Sequence, residues 1–338
     1  MEHIVGIDLH SNNGYYAIVE PDGKRVFKKR IPNEMPMVLS SLEPFKKTIT
    51  SVVVESTYNW YWLVDGLMEN GYTVKLGNPA GFGRYSGLKH EDDKTDAFFL
   101  TEMERLNILP QGYIYPKEER PVRDMLRRRM LIVQHKTSHI LSFQSLMTRQ
   151  TGSKISSGAI RKLHESDVKN LLDEEYLILT GQTNIAIIRF LKEKIRHLEK
   201  TVLKRAELRP EFEKLMTVPG IGNILALTIM METGDVGRFA DNGKYASYCR
   251  LVKSKRISNG KIKGKGNSKN GNKYLSWAYV EAANYSRRFC PEAKKFYQRK
   301  LAKKNQAVAT KALACKIAKA CFFIMRDQVD FDVKKIFG

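Results

Sequence analysis

Four acidic residues stand where metal-dependent phosphoryl chemistry needs them. Asp8 closes the apolar run His3–Leu9, Glu55 closes Ser51–Glu55 (SVVVE), and Asp93 and Asp96 lie three apart at the start of a helical segment. That spacing keeps the last two near one face of the helix. If the first and fourth strands of a sheet are neighbours, Asp8 and Glu55 stand side by side, and the helix start can bring Asp93 and Asp96 across from them. Carboxylates so placed repel one another unless cations sit between them, and their hard oxygens suit Mg²⁺ or Mn²⁺. Two such ions can polarise a phosphodiester and stabilise the attacking and leaving oxygens. Each acid taken singly reads as a surface carboxylate or a helix cap, Asp92 and Asp93 favouring a helix N-terminus. The four together, with the strand order, point to a metal site.

Two further constellations suit phosphate. Val218-Pro219-Gly220-Ile221-Gly222 precedes the helical stretch Asn223–Met231. A glycine hairpin that opens a helix presents backbone N–H groups to a phosphate through Gly220 and Gly222, as in helix-hairpin-helix DNA-backbone binders, although a tight helix–helix turn needs the same glycines. The second is Ser254-Lys255-Arg256-Ile257-Ser258-Asn259-Gly260-Lys261, followed by Gly266-Asn267-Ser268-Lys269-Asn270-Gly271. Its glycines let backbone approach phosphate and its lysines neutralise it. A serine there is a nucleophile only if a base or an electrophilic phosphate activates it. By residue type alone, the stretch is a flexible basic loop.

The elements that must position these groups follow from periodicity. Tyr15–Glu20 and Arg25–Ile31 read as strands joined by the turn Pro21-Asp22-Gly23, Met35–Phe45 as a helix, Trp60–Asn70 as a helix closed by Gly71, Tyr72–Leu76 as a strand and Thr95–Leu106 as a helix. The order β-β-β-α-β-α-β-α implies a meander continued by a parallel part of one sheet, the order of the ribonuclease-H-like fold. From Pro116 to Glu207 the pattern is helical: Arg120–Arg149 carries the cluster Arg127-Arg128-Arg129, and Ile188, Leu191, Ile195, Leu198 and Val202 form a heptad seam. Between Asn242 and Val280 there is no acidic residue, and helical sequence follows. The expected organisation is an α/β domain at 1–115, a helical, coiled-coil-bearing region at 116–207 and a mainly helical domain at 208–338.

The 338 residues include 58 Lys or Arg against 36 Asp or Glu, a formal net charge of +22, with 42% hydrophobic composition. That composition excludes wholesale disorder, and no apolar run approaches the roughly 20 residues a membrane span requires. The opening MEHIVGIDLH lacks a basic region followed by an apolar one, so the expectation is a cytoplasmic, nucleoid-associated protein. Cys249, Cys290, Cys315 and Cys321 show neither metal-ligand spacing nor a disulfide framework. Such a charge excess concerns partners, and nucleic acid is the commonest cytoplasmic polyanion.

The quartet in its setting (GIDLH, VVVESTYNW, EDDKTDAFFL), with Asn78-Pro79-Ala80 between, resembles the DEDD transposases of bacterial insertion sequences. The resemblance continues through TVPGIGNILALTIMMETGDVGRF, YASYCRLV and GNSKNGNKYL. That family, the insertion sequence 110/1111 group, comprises bridge-RNA-guided serine recombinases related to Piv-type DNA invertases. The resemblance implies a RuvC-like N-terminal domain in which Asp8, Glu55, Asp93 and Asp96 hold Mg²⁺ (or Mn²⁺). It implies a C-terminal serine that forms a covalent 5′-phosphoserine link to DNA, with composite active sites in a tetramer assembled from dimers. A structured non-coding guide RNA would choose the element ends and target in double-stranded DNA. The family's usual Ser-Ser-Gly-Gly-Lys run reads Ile257-Ser258-Asn259-Gly260-Lys261 here, so aligning on Gly260-Lys261 makes Ser258 the nucleophile and leaves Ser254 and Ser268 as alternatives. Lys253, Lys255, Arg256, Lys261, Lys263, Lys265 and Lys269 would hold the DNA backbone, and Arg127, Arg128 and Arg129 RNA or duplex. The rival expectations are a resolvase-type nuclease using water, an invertase, and a non-catalytic nucleic-acid-binding protein.

Overall fold

HIVGIDL, NGYYAIV and RVFKKRIP are short β-branched and aromatic runs parted by turn residues, and they form β1 (His3–Leu9), β2 (Asn13–Val19) and β3 (Arg25–Pro32). The computed structural model describes residues 2–83, 93–206, 210–252, 255–258, 261–265 and 270–338. Helix α1 (Met35–Leu42) follows, then β4 (Ile49–Glu55), α2 (Tyr61–Glu69), β5 (Val74–Gly77), the single turn α3 (Pro79–Phe82) and α4 (Asp93–Arg105). The sheet order is β3-β2-β1-β4-β5. The β1–β2 and β2–β3 pairs are antiparallel and the β1–β4 and β4–β5 pairs parallel. First and fourth strands are therefore neighbours, as the sequence leads one to expect.

Alternation decides what each face meets. Val5, Ile7 and Leu9 of β1 and Val52 and Val54 of β4 pack with Val38, Leu42, Leu63, Val64 and Leu67 from α1 and α2. Ile4 shares the opposite face with Tyr15, Ala17, Val19, Ala97 and Phe98, and Val53 packs there with Phe82, Phe99, Leu100 and Met103. Gly6 permits this second layer, since a Cβ on it would stand 2.2 Å from the Ala97 carbonyl oxygen and 2.8 Å from Thr101 Cγ2. Helix α4 thus crosses β1 at the one residue without a side chain.

The chain divides into two units, Met1–Lys117 and Glu118–Gly338. The second opens with α5 (Arg120–Thr151), ended by left-handed Gly152, and continues through α6 (Ser157–Ile160), α7 (Glu175–Ala206), α8 (Pro210–Met216), α9 (Asn223–Thr233) and α10 (Asn242–Tyr248). A small antiparallel hairpin of β6 (Lys255–Ser258) and β7 (Lys261–Lys265) precedes α11 (Lys273–Phe289), α12 (Pro291–Leu301), α13 (Gln306–Asp327) and α14 (Val333–Phe337). The stretch expected as a basic loop thus includes a paired ribbon. Ile188, Ile195 and Val202 of the heptad seam are buried, and α7 packs along α5 within the chain. The amino-terminal part of α5 and Val202 join the core of α8–α13, while Ile140, Phe143, Leu146 and Met147 build a second core with Ile160, Val168, Leu172, Ile185 and Ile188. The expected regions 116–207 and 208–338 therefore lie in one unit. Among the described residues no helix is long and apolar enough to cross a membrane.

Candidate active site

In the parallel β1–β4 pair Ile7 stands opposite Val54, so Asp8 and Glu55, one step on, end adjacent strands. Alternation puts both on the α4 face, in line with Gly6 and Val53. Asp96 precedes Ala97, the residue whose carbonyl crosses Gly6, and so lies in the first turn of α4 at the same corner. Asp8 is buried, with 7% of its surface exposed. His10 Nε2 lies 3.3 Å from Asp8 Oδ2. The loop carrying His10 is tied down because its carbonyl accepts from Asn59 Nδ2 at 2.8 Å and Asn33 Nδ2 at 3.0 Å. The structure thus puts a histidine on the first carboxylate. Asp93 begins α4 one turn before Asp96, and of it the backbone alone is described. Lower on the same face Glu104 accepts from Ser51 Oγ at 3.3 Å and pairs with Lys75 Nζ at 2.5 Å.

Asp8, Glu55 and Asp96 offer only carboxylate oxygens, the donor set a hard divalent cation takes. Among the described residues no three His, Cys, Asp or Glu side chains are close enough to grip an ion as they stand. The donors fit Mg²⁺ or Mn²⁺ by chemistry, and their backbone positions share one corner of the sheet, although the side chains as they stand do not converge on one point.

The glycine hairpin divides into two roles. Gly220 has φ +94°, and a Cβ there would meet Ser286 N at 2.4 Å and the Ala282 carbonyl at 2.7 Å. It is the tight turn by which the α8–α9 connection presses on α11, where Ser286 Oγ donates to the Pro219 carbonyl. Gly222, the N-cap of α9 with no side-chain cap, has open space before it. It belongs to a cleft of about 790 Å³ lined by Arg129, Asn223, Trp277, Tyr285 and Phe289 among others.

The arginine run divides as well, because successive helical residues point about 100° apart. Arg127 donates from Nε to Glu232 Oε1 at 2.5 Å and from Nη2 to Oε2 at 2.8 Å. Arg129 Nη2 reaches Glu199 Oε1 on α7 at 2.5 Å. Both guanidiniums are thus engaged inside the chain, and Arg128 is the exposed member of the run. For Ser258, Lys255, Arg256, Lys263 and Lys265 the backbone positions in β6 and β7 are described, with Ser258 opposite Lys261. Lys261 is exposed. Lys253, Ser254, Ser268 and Lys269 lie outside the described residues.

Glu232 is the residue that sequence reasoning passes over. It is fully buried and accepts from Arg123 Nε at 3.2 Å and Asn272 Nδ2 at 2.7 Å besides Arg127. Burial alone would raise its pKa, but the hydrogen bond from Arg127 and the charges of Arg123 and Arg127, with Asn272, hold it below the ordinary glutamate value. The available signal is a lone acid in the apolar run NILALTIMMET, with its partners 109, 105 and 40 residues away.

Comparison with known proteins converges on one group. The family model described as Transposase IS116/IS110/IS902 family matches residues 212–298, and the IS110 DEDD model, described as Transposase, matches residues 5–151. The chain is 23% identical over 290 residues to the transposase for insertion sequence element IS1328 of Yersinia enterocolitica, covering 83% of this chain and 82% of that one. It is 22% identical over 291 residues to the transposase for insertion sequence element IS1111A of Coxiella burnetii, covering 83% and 76%.

Proposed function

We propose that this chain, a transposase of the IS110 family that cleaves and transfers DNA strands, is an RNA-guided serine recombinase with a metal-assisted carboxylate site. The observation that carries the reading is the juxtaposition of Asp8 and Glu55 at the ends of adjacent parallel strands, with Asp96 beside them on α4. Residues 1–115 are the ribonuclease-H-like domain, 116–207 a helical connector and 208–338 the domain of the nucleophile. Asp8, Glu55, Asp93 and Asp96 hold Mg²⁺ or Mn²⁺, which supplies charge neutralisation at the scissile phosphate.

Ser258, at the end of β6, is the nucleophile. As Ser258 Oγ bonds to phosphorus, the bond to the 3′-oxygen breaks; the serine proton is lost and the 3′-oxygen leaves as a hydroxyl. Attack by a freed 3′-hydroxyl on the 5′-phosphoserine reverses these changes and restores the serine, so phosphodiester energy is conserved. Lys253, Lys255, Arg256, Lys261, Lys263, Lys265 and Lys269 neutralise backbone phosphates beside that serine. The α9 N-terminus beyond Gly222 and the exposed Arg128 add contacts to duplex or guide RNA. Self-association draws support from exposed Tyr176, Leu179 and Phe190 on α7, spaced as one strip of the helix.

The test is a covalent trap. The full chain, co-expressed with its flanking DNA, is denatured and digested, and nucleotide-bearing peptides are located by mass spectrometry. The expected adduct is on Ser258 and is lost in Ser258→Ala and in Asp8→Ala. An adduct on Ser254 or Ser268 would reassign the nucleophile. Strand cleavage that persists in Ser258→Ala without any adduct would overturn the serine mechanism.

A further inference from the structure

We propose that Glu232 and Asn272 are positioning residues for strand cleavage, a buried clamp that fixes the root of the β6–β7 hairpin. The inference rests on the reading that this hairpin carries the nucleophile. It begins with what Asn272 does at both ends. Its Oδ1 caps α11, accepting from Tyr274 N at 2.8 Å and Leu275 N at 3.1 Å. Its Nδ2 donates to Glu232 at 2.7 Å, and its backbone N–H donates to the Tyr248 carbonyl at 2.6 Å. One residue earlier, the Gly271 carbonyl accepts from Arg250 Nε at 2.8 Å. The two ends of the segment 251–270 are therefore fastened together where it leaves the helices.

Glu232 ties that root to the rest of the unit. Arg123 and Arg127, one turn apart on α5, hold its carboxylate, and the Arg127 guanidinium also lies 4.4 Å from the centre of the Tyr274 ring. Three elements remote in sequence, α5, α9 and the start of α11, meet on one charge. A buried ion pair is a poor source of stability beside an apolar replacement, and its best-attested use is to fix register. Register is what the hairpin needs. Its strands carry Lys255, Arg256, Lys261, Lys263 and Lys265, so phosphates pull on it, and a displacement of about 1 Å at a reacting group costs on the order of 10²-fold in rate.

Asn272→Ser isolates the clamp, because serine keeps an oxygen that caps α11 while its hydroxyl is too short to extend a donor to Glu232. The full-length variant is compared with the wild type on a duplex of its own element end, with the flanking transcript present. Thermal midpoint, duplex affinity, single-turnover cleavage in Mg²⁺ and the rate of trypsin cutting within 253–269 are measured. The expected result is a fall of about tenfold or more in cleavage rate and about fivefold faster tryptic cutting, with affinity within about twofold and a small change in midpoint. Cleavage at the wild-type rate, or a fall that only follows affinity or the folded fraction, would overturn the proposal. Ser258→Ala in parallel separates the two readings. If it cleaves like the wild type, the serine assignment fails; if Asn272→Ser cleaves and resists trypsin like the wild type, the clamp fails.

Discussion

Asp8 is buried at 7% exposure beside a second carboxylate-bearing strand end, so the proposed metal site sets like charges against each other when no cation is bound. Asp8→Asn is expected to abolish Mg²⁺-dependent strand cleavage while raising the melting midpoint in EDTA, by an amount worth about 0.5–2 kcal/mol. The stabilisation should vanish in millimolar Mg²⁺, where the wild type regains its counter-charge. A variant equally stable to the wild type in EDTA would mean that the carboxylates are not in electrostatic conflict. Glu232 behaves in the opposite way, since removing its charge takes the buried counter-charge from Arg123 and the half-buried Arg127. Glu232→Gln is expected to cost about 3–5 kcal/mol near neutral pH. Because the folded-state pKa of Glu232 is depressed, its contribution is complete above the unfolded value of about 4.3 and is lost as pH falls through the folded value. The gap between wild type and Glu232→Gln in urea titrations should therefore narrow in acid, and a gap independent of pH would refute the charged clamp. The two carboxylates differ in legibility for the same reason. Asp8 and Glu55 end apolar strands, so strand order alone brings them together, whereas the partners of Glu232 are assigned only by helix packing. Arg127-Arg128-Arg129 reads as one patch in the sequence and divides in the structure because a helix turns each residue to a different neighbour.

Elements deliver these residues by close approach, and two glycines set the distances. Gly6→Ala places a methyl 2.2 Å from the Ala97 carbonyl, so α4 must lift from β1 and carry Asp96 with it. The expected cost is about 1–3 kcal/mol of overpacking together with loss of cleavage. Retention of wild-type cleavage would show that Asp96 need not sit where α4 now holds it. In the glycine hairpin the two positions separate packing from phosphate contact. Gly220→Ala, at φ +94° against Ser286, should lower the melting midpoint strongly, whereas Gly222→Ala faces open space and should cost no more than about 1 kcal/mol, that of a poorer N-cap, while altering DNA affinity. A loss of stability in Gly222→Ala as large as that in Gly220→Ala would contradict that division. Nearly the whole five-stranded sheet was readable from alternation and turn residues, with helix and strand ends differing by a few residues. The β6–β7 hairpin was not, although Asn259-Gly260 between Ser258 and Lys261 is a strong two-residue connection signal. Lysine and glycine are poor strand formers, and their abundance hides the pairing.

At the scale of the whole molecule the charge is segregated. Residues 1–117 hold 13 Lys or Arg and 15 Asp or Glu, a net −2, while residues 118–338 hold 45 and 21, a net +24. The unit that carries the carboxylates thus has little net attraction of its own for a polyanion, and the second unit is expected to supply most of the affinity for nucleic acid. The basic residues of the first include Lys28 and Lys29, exposed on β3 at the sheet's edge, where lysine guards against pairing with another chain. Binding of a duplex should then fall steeply with salt, by about 10³–10⁵ between 50 and 200 mM if six to ten phosphates are neutralised. The origin of that slope is the discriminating measurement. Lys261→Ala, which removes an exposed lysine from the hairpin, should reduce the slope of log affinity against log salt by about 1. The double change Lys28→Ala, Lys29→Ala should leave that slope where it was. Equal reductions from both variants would show the first unit gripping the backbone as well. The electrostatic division of labour between the units would then be wrong, even with every carboxylate in its proposed role.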